Sequence, residues 1–437
     1  MRGLRWSDAL ITTQSEKRGQ RLRTLRLPAF SVRGGLSSSA ATWVLLQQVL
    51  LRGLVAVKFL MIGRILGPEA IGSVSVALFA VAIGEALSDT GLSQAVIQGP
   101  VAPTRDELGS VWTTLATRGV LVGAVLVAIA PLMNNQFHLG GALLLLQLGA
   151  LLPLLRGIAS PSYYVMQRER RFQHVACIEV SAAFLDCCIG LTLALSGAGA
   201  YSLLIGMIVG ESLKTTLTWA TMKPRPPIRL RWSGIGHYIN FSRWIWAGSV
   251  VNLVLNQFDK VMVGKLLGPA QLGAYQMSSR LAQMLLADAA IAMSQYLFPT
   301  FAARHRADPQ ASARLFKRSI GVIALGLAVV VVVLRLAAPM LFSLVLGPAW
   351  LPAVPLFKIF VINMAIGALI AVLVSYLRAV GDAKATTQAS AIDVVVLLVC
   401  VPPATHFWGV TGIAWALTLG LSSAAAWMAY RTTRVVL

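Results

Sequence analysis

A succession of apolar runs, separated by short basic segments, limits this chain to a bundle of membrane-crossing helices. A helix rises about 1.5 Å per residue, so about 20 mostly apolar residues cross the hydrocarbon core. Twelve runs reach that length, at roughly 40–64, 70–97, 108–130, 141–166, 175–195, 199–222, 243–264, 271–297, 317–340, 353–377, 385–402 and 409–430. Charged residues make up only 12% of the sequence, about half the usual share in a soluble domain. No polar stretch is long enough to fold as a soluble domain of its own.

An internal repeat organises those runs. MIGRILGPEAIG (Met61–Gly72) returns as MVGKLLGPAQLG (Met262–Gly273), with Gly63/Gly264, Leu66/Leu267, Gly67/Gly268, Pro68/Pro269 and Gly72/Gly273 identical. Each copy ends one apolar run, turns at Gly-Pro and opens the next. Proline cannot continue a helix and glycine frees the backbone, so each copy predicts a tight connection between two helices. A repeat offset by about half the chain points to two similar lobes. The expected fold is therefore an all-α integral membrane protein of about twelve transmembrane helices in two pseudo-symmetric six-helix lobes. The expected divisions are a basic cytoplasmic tail at 1–39, an N-lobe at 40–222, a linker at 223–242 and a C-lobe at 243–437.

The formal net charge of +21 is distributed in a way that supports the count. With the tail placed inside, twenty-six Lys/Arg fall in inside segments and two, Arg64 and Lys265, fall outside. That bias is the positive-inside pattern, and it places both termini in the cytoplasm. Basic residues spread between apolar runs meet lipid headgroups, so nucleic acid is not an expected partner. The tail lacks the short apolar core and small-residue cleavage site of a signal peptide.

Charges inside the runs are expensive and need a wet cavity or a partner. Arg52, Lys58, Arg118, Arg156 and Arg280 are the expected substrate contacts, forming a cationic cavity between the lobes. A guanidinium fork suits phosphate, so the implied ligand is anionic, with a pyrophosphate headgroup fitting. Glu85 and Asp89 share one face at i, i+4, and with Asp288 they are candidates for binding a coupling H⁺ or Na⁺. The competing reading for the first two is charge balance against the same arginines. Lys214, one turn from Glu211, is placed to pair with it, while Lys260, Arg335 and Lys358 lie near run ends and are read as snorkelling to the surface.

Enzyme chemistry has little support. There is no GxxxxGK[ST] phosphate loop, no HExxH and no Ser/His/Asp arrangement. The histidines lack ligand spacing, so no metal site is expected, and no cofactor beyond the coupling ion. The cysteines lie in apolar runs and read as small buried hydrophobes.

Five segments together resemble a known family: GRILGPEAIG (63–72), SDTGLSQAVIQ (88–98), MQRERRFQHVACIEV (166–180), NQFDKVMVGKLLGPAQLGAYQMSSRLA (256–282) and YLRAVGDAKA (376–385). Their order and spacing are similar to those of the polysaccharide transporter family, the Wzx-type flippases of the multidrug/oligosaccharidyl-lipid/polysaccharide exporter superfamily. The resemblance covers about residues 40–430. It implies a bacterial inner-membrane flippase for undecaprenyl-pyrophosphate-linked oligosaccharide repeat units, serving O-antigen, capsule or exopolysaccharide synthesis by alternating access. The implied partners are the lipid-linked substrate, membrane lipids, a polysaccharide polymerase and a chain-length regulator. It also implies that arginines on the first and eighth helices hold the pyrophosphate, here Arg52 or Lys58 and Arg280 by helix position. The rival readings are a cation-coupled multidrug antiporter of the same superfamily and a membrane-embedded polymerase.

Overall fold

The computed structural model describes residues 38–99, 101–227 and 236–436, leaving the basic tail and part of the central linker outside the described residues. The helices are α1 (Ser38–Leu66), α2 (Pro68–Leu87), α3 (Leu92–Gln98), α4 (Arg105–Gln136), α5 (Leu143–Gly149), α6 (Leu151–Ile158), α7 (Ser162–Arg168), α8 (Phe172–Leu195), α9 (Tyr201–Thr221), α10 (Gly236–Ala307), α11 (Pro309–Val345), α12 (Val354–Ala379) and α13 (Ala383–Val436), and no strand occurs among the described residues. Each of the twelve apolar runs has its helical counterpart. The 72-residue α10 is two helices meeting at Gly268, and α13 is two meeting at Gly409. The run at 141–166 is a broken span, bent by 60° between Ile158 and Ser162, where Pro161 interrupts the helical hydrogen bonding.

Several helices outlast their apolar runs because polar caps extend them. Thr104 and Glu107 form a reciprocal capping box at the start of α4, with the Glu107 N–H donating to Thr104 Oγ1 and the Thr104 N–H to Glu107 Oε2. Asp308 accepts from the Gln310 N–H at 2.8 Å and starts α11. Among the described residues, six helices are long and apolar enough to cross a membrane by length and composition, besides the bent pair.

The repeated turns have one backbone geometry. Gly67 lies at φ 79°, ψ 179° and Gly268 at φ 83°, ψ 175°. Only glycine visits that region without strain, which is why it precedes proline in both copies. A third Leu-Gly-Pro, at Leu346–Pro348, adopts the same turn, with Gly347 at φ 95°, ψ 173°.

The three turns converge. A side chain on Gly72 would overlap the carbonyl of Pro269, and one on Gly273 would overlap that of Pro68. Trp350 is fully buried and donates its indole N–H to Gly63 O at 3.0 Å. Arg64 donates to the backbone carbonyls of Leu344 and Val345 at the end of α11. Thus α2 packs along α10, and one buried core runs from Ile71, Val74 and Phe79 across to Tyr275, Phe342, Phe357 and Phe360. At the far end of α2 the same two helices meet again: Trp246 Nε1 donates to Leu87 O at 2.9 Å and Ser249 Oγ to Asp89 Oδ2 at 2.8 Å.

Candidate functional site

Close helix packing brings the charges together. Gly119 of α4 and Gly157 of α6 meet backbone to backbone, with no room for a side chain on either. Small residues permit that approach between membrane helices, and it sets Arg118 and Arg156, their sequence neighbours, into one cavity of about 430 Å³. Glu85, Asp89 and, from α10, Asn252, Asn256 and Gln257 also line it.

Both arginines are anchored there, by different partners. Arg156 Nη1 lies 2.9 Å from Glu85 Oε2, and its Nε lies 3.2 Å from Glu211 Oε1. Arg118 donates instead to neutral acceptors, Ser88 Oγ at 2.9 Å and Glu85 O at 2.6 Å. Its positive charge is thus held in place by groups that carry none. Asp89 accepts from the Gly91 N–H at 3.0 Å as well as from Ser249.

A second cavity, of about 410 Å³, lies between α1, α2 and both halves of α10. It gathers Lys58, Lys260 and Arg280. Lys58 is buried and donates to Asp186 Oδ1 at 2.5 Å, which neutralises it. Lys260 donates to Asn256 O at 2.5 Å. Among the described residues, no acidic side chain forms an ion pair with Lys260 or Arg280. These two cations give the cavity its net charge and an anion its partners.

A third pocket, of about 210 Å³, joins Arg156, Glu179, Asp186, Glu211 and Lys214. Lys214 pairs with Glu179 at 3.7 Å and lies over the Tyr163 ring at 5.1 Å, not against Glu211 as its spacing predicts. Arg156 has taken Glu211, and Lys214 instead joins Glu179, which also accepts from Gln47 and the Tyr163 hydroxyl.

The structure therefore brings Lys58 and Arg280 together, and Arg118, Arg156, Glu85 and Asp89 together, in adjacent cavities. Arg52 is exposed, is itself engaged, and lines none of the three. The side chain of Asp288 lies outside the described residues. Lys260 does not snorkel away but faces Arg280's cavity. Its signal in the sequence is the polar spacing Asn252, Asn256, Gln257, Lys260, which marks one wetted face of a helix. Cys177 is exposed, not buried, so the apolar run around it did not report its facing.

Helices in two lobes, meeting along α2 and α10 and enclosing charged cavities, define a multi-pass membrane transporter. The fold is similar to that of the lipid II flippase MurJ in an inward closed conformation, with a TM-score of 0.71 at 12% identity over 90% of this chain and 87% of that one. It is also similar to a multidrug resistance MATE family transporter of the MOP superfamily in its inward-facing conformation, with a TM-score of 0.57 at 14% identity over 88% and 94%.

The family is given by the sequence. Residues 61–355 match the model of the family described as polysaccharide biosynthesis protein, and the chain belongs to that family. The succinoglycan biosynthesis transport protein ExoT of Rhizobium meliloti (strain 1021) is 25% identical over 78% of this chain and 68% of its own length. The lipopolysaccharide biosynthesis protein WzxC of Escherichia coli (strain K12) is 21% identical over 60% of this chain and 54% of its own length. This chain is thus a transmembrane transporter of polysaccharide biosynthesis, in a family and among structural neighbours that are transporters and flippases rather than enzymes.

Proposed function

We propose that the protein moves undecaprenyl-pyrophosphate-linked oligosaccharide repeat units from the cytoplasmic to the periplasmic leaflet of the bacterial inner membrane. The observation that carries this reading is the membrane-embedded cavity holding Lys260 and Arg280 beside the neutralised Lys58. Two cations in one cavity with no ion-paired carboxylate among the described residues favour a doubly charged phosphate ligand, since each is costly until an anion meets it. Relatives named for succinoglycan transport and lipopolysaccharide biosynthesis make a lipid-linked glycan the natural bearer of that phosphate.

In this reading the lobes alternate about the cavities, with both termini cytoplasmic. Differential affinity of the two states for the substrate or for an ion sets the direction. A proton or Na⁺ gradient supplies the drive, with Glu85, Asp89 and Asp288 as its candidate acceptors. A polymerase and a chain-length regulator receive the product on the far side. The antiporter reading is less well supported, because Glu85 and Asp89, the carboxylates an organic cation would need, are occupied by Arg156 and Ser249.

The test is a deletion strain. Its lipid extract is expected to accumulate undecaprenyl-linked repeat units while surface polymer is lost. An unchanged lipid profile together with sensitivity to cationic drugs would overturn the reading in favour of the antiporter.

A further inference from the structure

The two larger cavities differ in chemistry along a single helix. At the second cavity α10 presents a cation, Lys260, opposite Arg280. At the first it presents neutral amides, Asn252, Asn256 and Gln257. Asn256 Nδ2 donates to Asn252 Oδ1 at 2.6 Å and to Asn252 O at 2.8 Å, so the two amides form a fixed ladder one turn apart. Among the described residues, none of the three hydrogen-bonds to another helix. Polar side chains in membrane helices usually act as glue between helices. Here they face open volume instead.

The opposite wall carries Gln94 of α3 and Tyr164 of α7. An amide offers a donor and an acceptor on one plane, and a phenol offers a hydroxyl beside an apolar ring. That combination matches a sugar, whose hydroxyls both donate and accept and whose ring has an apolar face. A phosphate, which only accepts, would leave the amide oxygens unused. Of the cations of this cavity, Arg156 is neutralised by two carboxylates and Arg118 is held against the wall by Ser88 and the Glu85 carbonyl.

We propose that the first cavity is a glycan subsite, separate from the phosphate subsite at Lys260 and Arg280, and that Asn252, Asn256 and Gln257 read the uncharged sugar hydroxyls nearest the phosphate. This rests on the flippase reading and specifies where its selectivity resides. Asn252 and Lys260 are two turns apart, about 12 Å along the axis. The two subsites are joined physically, since the Lys260 ammonium donates to Asn256 O. A ligand with its phosphates at Lys260 and Arg280 places its first sugars against the amide ladder.

The test uses purified full-length protein in nanodiscs and two probes. One is bare undecaprenyl pyrophosphate; the other is the lipid-linked oligosaccharide extracted from a strain lacking the transporter. The wild type is expected to bind the sugar-bearing probe about tenfold more tightly, the gain of one or two well-placed hydrogen bonds. Asn252→Ala and Gln257→Ala are each expected to lose most of that gain while binding the bare probe as the wild type does, which also shows that they fold. Arg280→Ala is expected to weaken both probes together. Equal affinity of the wild type for both probes, or variants that keep the full gain, would overturn the glycan subsite and leave the flippase reading standing. Failure of the wild type to bind either probe would overturn the flippase reading itself.

Discussion

Gly72 lies directly against the backbone carbonyl of Pro269, and the relation is reciprocal: Gly273 lies against the carbonyl of Pro68. The two copies of the repeat thus do more than mark two lobes; each closes on the other where the lobes meet. Asp89 and Ser249 join the same two helices at the other end of α2. The two helices are thus tied together at both ends.

Adding one methyl group at Gly72 forces the turns apart, because the obstacle is backbone and cannot swing aside. Gly72→Ala is expected to destabilise the protein by about 1–3 kcal/mol, the usual cost of overpacking. Gly53 is the internal control: nothing lies within 4 Å of an added methyl, so Gly53→Ala is neutral or slightly stabilising. Thermal unfolding of the two variants in the same detergent checks the contrast.

Asp89 is engaged by the Gly91 N–H and the Ser249 hydroxyl, partners suited to a latch. An amide can make the same contacts, so Asp89→Asn is expected to retain most transport, whereas Asp89→Leu loses it. Rates measured in reconstituted vesicles separate the latch from an ion site. Loss of transport in Asp89→Asn at wild-type stability would show that the charge itself is needed.

Arg156 joins two carboxylates on different helices, and its removal leaves both without their cation. Breaking a fully buried pair costs about 3–5 kcal/mol, but this arginine side chain is 40% exposed. Water screening reduces the expected loss for Arg156→Ala to about 1–2 kcal/mol. Adding Glu85→Gln and Glu211→Gln is expected to restore part of it, as a triple-variant denaturation series would show.

Arg431 donates twice to Asp382 Oδ2, at 3.2 and 2.7 Å, and ties the end of α13 to the turn after α12. Those bonds hold the Asp382 carboxyl below its ordinary value. A carboxylate depressed on folding contributes stability that is complete above its unfolded value, about 4, and is lost as pH falls through the folded value. Wild type is therefore expected to exceed Arg431→Ala by about 1 kcal/mol or less at pH 7, and the difference is expected to shrink below about pH 4. A difference that stays constant across that range would assign the contact to packing instead.

The fold was legible because membrane insertion is a one-dimensional problem. Run length and loop charge locate helices without knowledge of their neighbours. The repeat and its Gly-Pro turns were equally local. Sequence does not show which turn meets which, and no extended repeat surrounds the third turn, at Gly347, to mark it. Which charges share a cavity was legible only in part, for the same reason. Lys58, Arg118, Arg156 and Arg280 do line cavities, but pairing is a matter of tertiary distance, so Lys214 meets Glu179 and Lys260 faces the cavity. The amides at Asn252, Asn256 and Gln257 carry no charge and gave no signal beyond their spacing.

The most direct measurement is flipping itself. Vesicles containing the lipid-linked oligosaccharide, with and without protein, are treated with an impermeant reagent that oxidises sugars. Wild type is expected to bring the protected inner-leaflet glycan out to the reagent. Arg280→Ala is expected to slow that exposure about tenfold or more, as befits the loss of a charged contact to phosphate. Exposure at the same rate with and without protein, or an Arg280→Ala variant that flips like the wild type, would contradict the account.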